Sequence, residues 1–171
     1  MKIEDDFLDQ ENFAGLQNFM LGDNFAWFYN STIVYRNRKE TTDKFQFIHG
    51  FYRYDAPQSS YFEILKPTLD IIKPISLYRI KANLLTRTSS IDEQTFHIDN
   101  TVLEDSPEKL KLWTTSIFYM NTNNGYTEFK DGTKVESIAN RMVTFSANLK
   151  HRGTSCTDEK TRVVINFNYF K

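Results

Sequence analysis

The 171-residue sequence predicts a mainly β fold, a jelly roll or a related barrel, behind a helical N-terminal layer. Two observations carry this. From Ser76 onward, apolar and polar residues alternate in short runs separated by turn residues. Helical periodicity is confined to the first third, so strands and helices do not alternate as a βαβ sheet requires. The chain contains no internal repeat, low-complexity tract or Pro/Gly/Ser linker. It therefore reads as a single domain over residues 1–171, with about 1–75 as helical support and about 76–171 as the strand core.

The elements follow in order. Asp9 can cap a helix whose apolar face carries Phe13, Leu16 and Met20, and Gly22 can end it. Ser60-Tyr61-Phe62-Glu63 has capping-box spacing and opens a second apolar-periodic stretch through Leu69 and Ile72. Pro67 predicts a kink or restart inside that stretch, and Pro74 ends it. Strands are predicted at Leu77–Leu84, around Phe96–Asp99, and at Leu112–Asn121, Tyr126–Phe129, Thr133–Glu136, Arg141–Phe145 and Arg162–Tyr169. Asn123-Asn124-Gly125, Asp131-Gly132 and Arg152-Gly153 supply the turn signals between them.

Composition narrows the function classes. The net charge is −1, the pI is near 6.3 and the basic residues are scattered, which argues against a nucleic-acid partner. No apolar run reaches the length of a membrane span, and the acidic start Met1–Asp6 lacks the apolar segment of a secretory signal. A cytoplasmic location is expected. One cysteine, Cys156, leaves no internal disulfide and no multi-thiolate metal site within the chain, so metal ligands would be nitrogen and oxygen. The 15 Phe, 9 Tyr and 2 Trp suit half-buried strand faces and the walls of a small-molecule cavity.

Two of the three histidines fall in informative places. In His97-Ile98-Asp99 the imidazole and the carboxylate sit at i and i+2, which share a face on a strand. His151 follows 54 residues later. Two imidazoles and one carboxylate on one side of a metal leave positions open, the ligand set of Fe(II) oxygenases. An H-x-D triplet arises by chance in roughly one such chain in five, and a lone strand histidine is more often a hydrogen-bonded structural residue. Arg162 lies 11 residues beyond His151 in the apolar run Val163–Phe167. A buried guanidinium there needs an anion, and its fork fits a carboxylate. A surface arginine paired with Asp158 or Glu159 is the alternative.

The segment from His97 to Phe170 resembles the catalytic core of the 2-oxoglutarate/Fe(II)-dependent oxygenase superfamily, in its prolyl 4-hydroxylase-like branch. The resemblance rests on His97-x-Asp99, Ile117–Asn121, Gly125–Phe129, Arg141–Phe145, Lys150–Gly153 and Thr161–Val164, in the family's order. The N-terminal third is a looser match, and small stand-alone members from bacteriophages and bacteria look most similar. The resemblance implies a cupin-like double-stranded β-helix, with host cytoplasm as the location if the gene is a phage's. It implies His97, Asp99 and His151 as the iron ligands. Arg162 would hold the distal carboxylate of 2-oxoglutarate, with Tyr119 assisting and Asn83 facing the cosubstrate. Arg79 and Lys81 share the face of Asn83, and for these two solvent is expected.

What the resemblance implies chemically is an Fe(II)- and O2-dependent hydroxylase that converts 2-oxoglutarate to succinate and CO2. Its substrate would be a prolyl or other protein side chain, or a small molecule. A non-catalytic jelly-roll module that binds a metal or small ligand is the competing reading. Two departures from the family stand out: Val164 occupies a position that often holds Ser or Thr, and Gly125-Tyr126-Thr127 lacks a second glycine. The aromatic stretch Phe45–Gln58 reads either as a lip over the site or as a loop packed on the barrel. His49, within it, is expected at the surface.

Overall fold

The computed structural model describes residues 1–33 and 44–171. Strand β1 (Lys2–Glu4) leads into helix α1 (Gln10–Leu21). Asp9 caps the helix by accepting from the Asn12 amide, and Phe13, Leu16 and Met20 are its buried stripe. Gly22 ends it in an extended conformation rather than the left-handed one common at C-caps. Strands β2 (Phe28–Asn30), β3 (Gln46–Arg53) and β4 (Ala56–Pro57) follow. The first 75 residues thus supply strands as well as helical cover.

The second helical stretch is split. A 3-10 turn over Phe62–Leu65 gives way to α2 (Lys66–Ile72), with Pro67 in its first turn. Proline has no amide to continue the earlier turn, so the helix restarts there. The capping box at Ser60 does not form. Ser59 instead accepts from the Tyr61 amide.

Strand β5 (Ser76–Thr86) is central. After it come a short helix α3 (Pro107–Leu110), then β6 (Trp113–Tyr119), β7 (Tyr126–Phe129), β8 (Lys134–Glu136), β9 (Met142–Ser146), β10 (His151–Gly153) and β11 (Thr161–Phe170). The major sheet runs β1-β9-β6-β11-β5-β3-β2, with β4 attached to β3, and the minor sheet runs β10-β7-β8. All pairings are antiparallel. Two sheets of this kind form the jelly roll that the alternation predicts.

Three details depart from the sequence expectation. Residues 93–99 form no continuous ladder with β10: they pair through the isolated bridges His97↔His151 and, just beyond the strand, Glu93↔Thr154, with the Gln94 amide donating to the Gly153 carbonyl at 3.0 Å. Arg152-Gly153 lies within β10 and is not a turn. Phe45–Gln58 is neither lip nor loop: Gln46–Arg53 pairs along β5 and belongs to the major sheet. His49 on it is buried at 4 % exposure, with Nδ1 on the Ala26 carbonyl at 2.7 Å and Nε2 on the Ser59 hydroxyl at 2.8 Å. Strand alternation turns its ring inward among Phe25, Phe51 and Tyr61.

The larger core lies between the outer face of the major sheet and the helices. Phe118 is fully buried there, edge-on to Phe7 and Phe13 with ring centroids 5.6 and 5.9 Å away. A second apolar cluster, including Ile117, Phe129, Phe145 and Val164, fills the space on the opposite face of the major sheet. Phe118→Ala should lower the unfolding free energy by about 3–5 kcal/mol in urea titrations, through the cavity it leaves against α1.

Candidate active site

Two ladders, with β5 and β6, aim one face of β11 at the second cluster. Arg162, Val164, Asn166 and Asn168 share that face. Across β5 they meet Leu85, Asn83, Lys81 and Arg79 in register. Val164 and Asn166 meet Tyr119 and Ile117 across β6. Residues 93–99 and β10 cross above this floor and bring His97 and His151 together. Their backbones exchange hydrogen bonds of 2.9 and 3.0 Å, and their ring centroids are 4.9 Å apart.

His97, Asp99 and His151 each present one ligand atom, and these atoms lie within 4.8 Å of one another. Each histidine ties Nδ1 to the carbonyl two residues before it, Thr95 at 3.0 Å and Leu149 at 3.2 Å. With Nδ1–H donating to those carbonyls, both Nε2 lone pairs are left for the centre of the site. Nε2 of His151 is buried with no hydrogen-bond partner among the described residues. Burial, with help from His97 and Arg79, pushes the His151 pKa down to about 4 against the pull of Asp99, keeping the imidazole neutral.

Asp99 completes the group. Burial alone would raise its carboxyl, but Arg79, both imidazoles and Asn168 hold it well below the usual carboxylate range. Arg79 Nη2 is 3.0 Å from Oδ1, and the Asn168 and Asn166 amides donate to Oδ2 at 3.0 and 3.3 Å. Two imidazole nitrogens and one ionised carboxylate suit a divalent cation such as Fe(II), and the orphaned His151 nitrogen fits such a ligand.

At the other end of the pocket, Arg162 is 3 % exposed. Its Nε donates to the Ser137 hydroxyl at 2.7 Å and Nη2 to the Thr127 hydroxyl at 3.2 Å, while its guanidinium carbon lies 5.6 Å from the Tyr119 ring centroid. No carboxylate pairs with it among the described residues. Asp158, the surface partner that sequence proximity offered, accepts from the Asn124 amide instead. Gly125 is needed beside it, since a Cβ there would come within 2.6 Å of the arginine side chain.

Tyr119 is fully buried and its hydroxyl donates to Thr127 at 2.8 Å, so Thr127 stands between it and the arginine. Asn83 and Asn166 line the pocket, and among the described residues the Oδ1 of each has no partner. Three of the five buried side-chain atoms without partners among the described residues thus belong to residues lining this one pocket, His151, Asn83 and Asn166. That is the mark of a ligand site rather than of a poorly satisfied core.

Two expectations are corrected here. Arg79 is not solvated, since it clamps Asp99, and Lys81 is half-buried and lines the pocket. Parity showed that both share the face of Asn83 but could not show that β11 and residues 93–99 cover it. Thr127, Gln46 and Gln94 also line the pocket and carried no signal, being ordinary polar residues on ordinary strands. Arg152 braces the segment before His97. It reaches Glu93 at 2.6 Å and, through Nε, Glu128 at 2.7 Å, and lies 4.5 Å over the Phe96 ring.

The depressed pKa of His151 makes the metal-free protein sensitive to acid. Between the ordinary histidine value near 6.5 and the native value of about 4, the unfolded chain takes up a proton that the folded one does not. Stability should fall as pH drops from about 6.5 to 4 in thermal melts of the metal-free protein. In His151→Gln that part of the slope should be absent.

No protein-family model and no curated protein sequence matches the chain. Its fold does match solved structures. A prolyl hydroxylase from Trichoplax adhaerens, solved with a hypoxia-inducible-factor peptide fragment, superimposes with TM-score 0.66 at 14 % identity, covering 99 % of this chain and 82 % of that one. The viral collagen prolyl hydroxylase of Paramecium bursaria Chlorella virus 1, solved with 2-oxoglutarate, gives 0.62 at 11 % identity over 99 % and 95 %. The α-ketoglutarate-dependent epimerase SnoN of nogalamycin biosynthesis gives 0.67 at 12 % identity over 99 % and 77 %. The chain adopts the double-stranded β-helix fold of these structures.

Proposed function

We propose that the protein is an Fe(II)- and 2-oxoglutarate-dependent dioxygenase that hydroxylates a C–H bond of its substrate. The observation that carries this is a buried guanidinium with no acid beside it among the described residues, in the same pocket as two imidazoles and a carboxylate. Asn166 shares the face of Arg162 on β11 and touches Asp99, so the arginine and the His-Asp-His group belong to one pocket.

In this reading His97, Asp99 and His151 hold the metal, and Arg162 holds the distal carboxylate of 2-oxoglutarate. Fe(II) with 2-oxoglutarate and O2 supplies the oxidising chemistry, turning substrate C–H into C–OH and the diacid into succinate and CO2. The chain does the rest. Arg79, Asn166 and Asn168 keep Asp99 ionised and fixed. Phe145 and Phe129 pack edge-on and tilted against His151 and limit water around it.

Thr127 takes the place that Val164 leaves without a hydroxyl. Its oxygen accepts from Tyr119 and Arg162, so its own proton is free for the cosubstrate carboxylate. Tyr119 acts on the cosubstrate through Thr127, and Asn83 offers an amide to the diacid from the floor. A prolyl or other protein side chain is the leading substrate, given the prolyl hydroxylases among the structures of this fold. No helix among the described residues is long and apolar enough to cross a membrane. The buried, unpaired Cys156 suits a reducing cytoplasm, the host's if the gene is a phage's.

With Fe(II), O2 and 2-oxoglutarate but no substrate, the protein should release succinate slowly. His151→Ala should lose both Fe(II) binding and turnover. Arg162→Ala should raise the KM for 2-oxoglutarate about a hundredfold, as expected when one partner of a buried ion pair is truncated. Metal binding without any succinate would make the protein a non-catalytic ligand-binding module. An unchanged KM in Arg162→Ala would remove the role given to that arginine.

A further inference from the structure

One cation in the pocket has no task in the scheme above. Lys81 is half-buried on β5, between Arg79 and Asn83 on the pocket face, and is paired in register with Asn166. It forms no hydrogen bond or ion pair among the described residues. Its electrostatic neighbours are Arg79, Arg53 and Asp99, two cations against one carboxylate. That carboxylate is already held by Arg79 and by two asparagine amides. Arg53 lies over the Tyr54 ring at 4.7 Å. Burial first, then Arg79 and Arg53, push the lysine pKa down to about 8, the behaviour of an ammonium that lacks a counter-charge.

Space is available next to it. On the β3 side the residue in register with Lys81 is Gly50, and a Cβ added there would meet no atom of the described residues within 4 Å. Glycine leaves this part of the floor open where another side chain would cover the lysine. Arg162 lies on the far side of Val164 and Asn83, in register with Leu85, and so is separated from this corner along the strands.

We propose that this corner is a receptor for an oxyanion, a carboxylate or phosphate group of the primary substrate, with the Lys81 ammonium as its anchor and the space over Gly50 as its seat. The inference rests on the oxygenase reading of the pocket and adds a substrate class to it: the molecule hydroxylated carries an acidic group close to the reacting carbon. A lysine acts here as a point charge that accepts either kind of oxyanion, whereas the arginine fork suits the flat carboxylate of the diacid. Lys81 is a specificity residue in this scheme, and the metal ligands do not depend on it.

The test uses full-length protein loaded with Zn(II) and the inert cosubstrate analogue N-oxalylglycine, whose binding is measured first for every variant. Sodium acetate, sodium phosphate and neutral acetamide are then titrated at constant ionic strength, and the backbone amide signal of Gly50 is followed by NMR. Saturable shifts are expected with one or both oxyanions and none with acetamide. Whichever of acetate and phosphate binds tighter names the group. Lys81→Met should weaken that binding about tenfold or more, the loss of one charge-assisted contact, and Lys81→Arg should retain most of it.

No saturable shift with either anion, or equal affinity in Lys81→Met, overturns the proposal. So does a tenfold loss of N-oxalylglycine affinity in Lys81→Met, which would assign the lysine to the cosubstrate. Failure of the wild type to bind Zn(II) or N-oxalylglycine is a separate result. It overturns the reading of the pocket itself, and this inference with it.

Discussion

Asp99 has to stay ionised while buried, and much of the pocket is arranged around that requirement. A carboxylate removed from water is protonated unless charges and donors replace its hydration. Arg79 meets one oxygen, and the amides of Asn166 and Asn168 meet the other. All three come from β5 and β11, whose long ladder runs through the middle of the major sheet. The rigidity of that ladder is thus passed directly to the carboxylate. The histidines are set differently. Each is oriented by a carbonyl two residues earlier in its own segment, and the two segments are locked together by a reciprocal backbone bridge.

The pocket distributes charge in a consistent way. Arg79 is neutralised by Asp99 within the protein, while Arg162 and Lys81 are not neutralised by any described residue. Two buried or half-buried cations without acids, in a pocket that also collects three unpartnered polar atoms, cost stability in the empty protein. Such a cost is expected at sites built for charged ligands, which supply the missing partners on binding. The local sequence shows the accommodation too. Gly125 makes room for the Arg162 side chain, and Ser137 and Thr127 give its guanidinium neutral acceptors that leave its charge available.

The segments that departed from expectation share a cause. Residues 93–99 alternate like a strand, but β10 is three residues long, and the ladder reduces to isolated bridges. Phe45–Gln58 is rich in aromatics, yet its alternation places Gln46, Ile48 and Gly50 on one face and Phe47 and His49 on the other, as a sheet strand requires. Nothing in the sequence pairs His49 with the other two histidines. Its partners are a carbonyl 23 residues earlier and a hydroxyl 10 residues later.

The sequence by itself determined the things that depend on short spacing. These are the capped α1 helix, the strand alternation after Ser76, the common face of Arg79, Lys81 and Asn83, and the H-x-D pair with a second histidine and an arginine inside an apolar strand. Period two says which side chains travel together; it does not say what lies over them. Whether a strand face meets water or a pocket is decided by segments distant in the chain, here residues 93–99 and β10 closing over β5 and β11. Only that closure turned Arg79 into the clamp on Asp99; β7 of the minor sheet puts Thr127 between Tyr119 and Arg162, and Lys81 is left with no paired acid among the described residues.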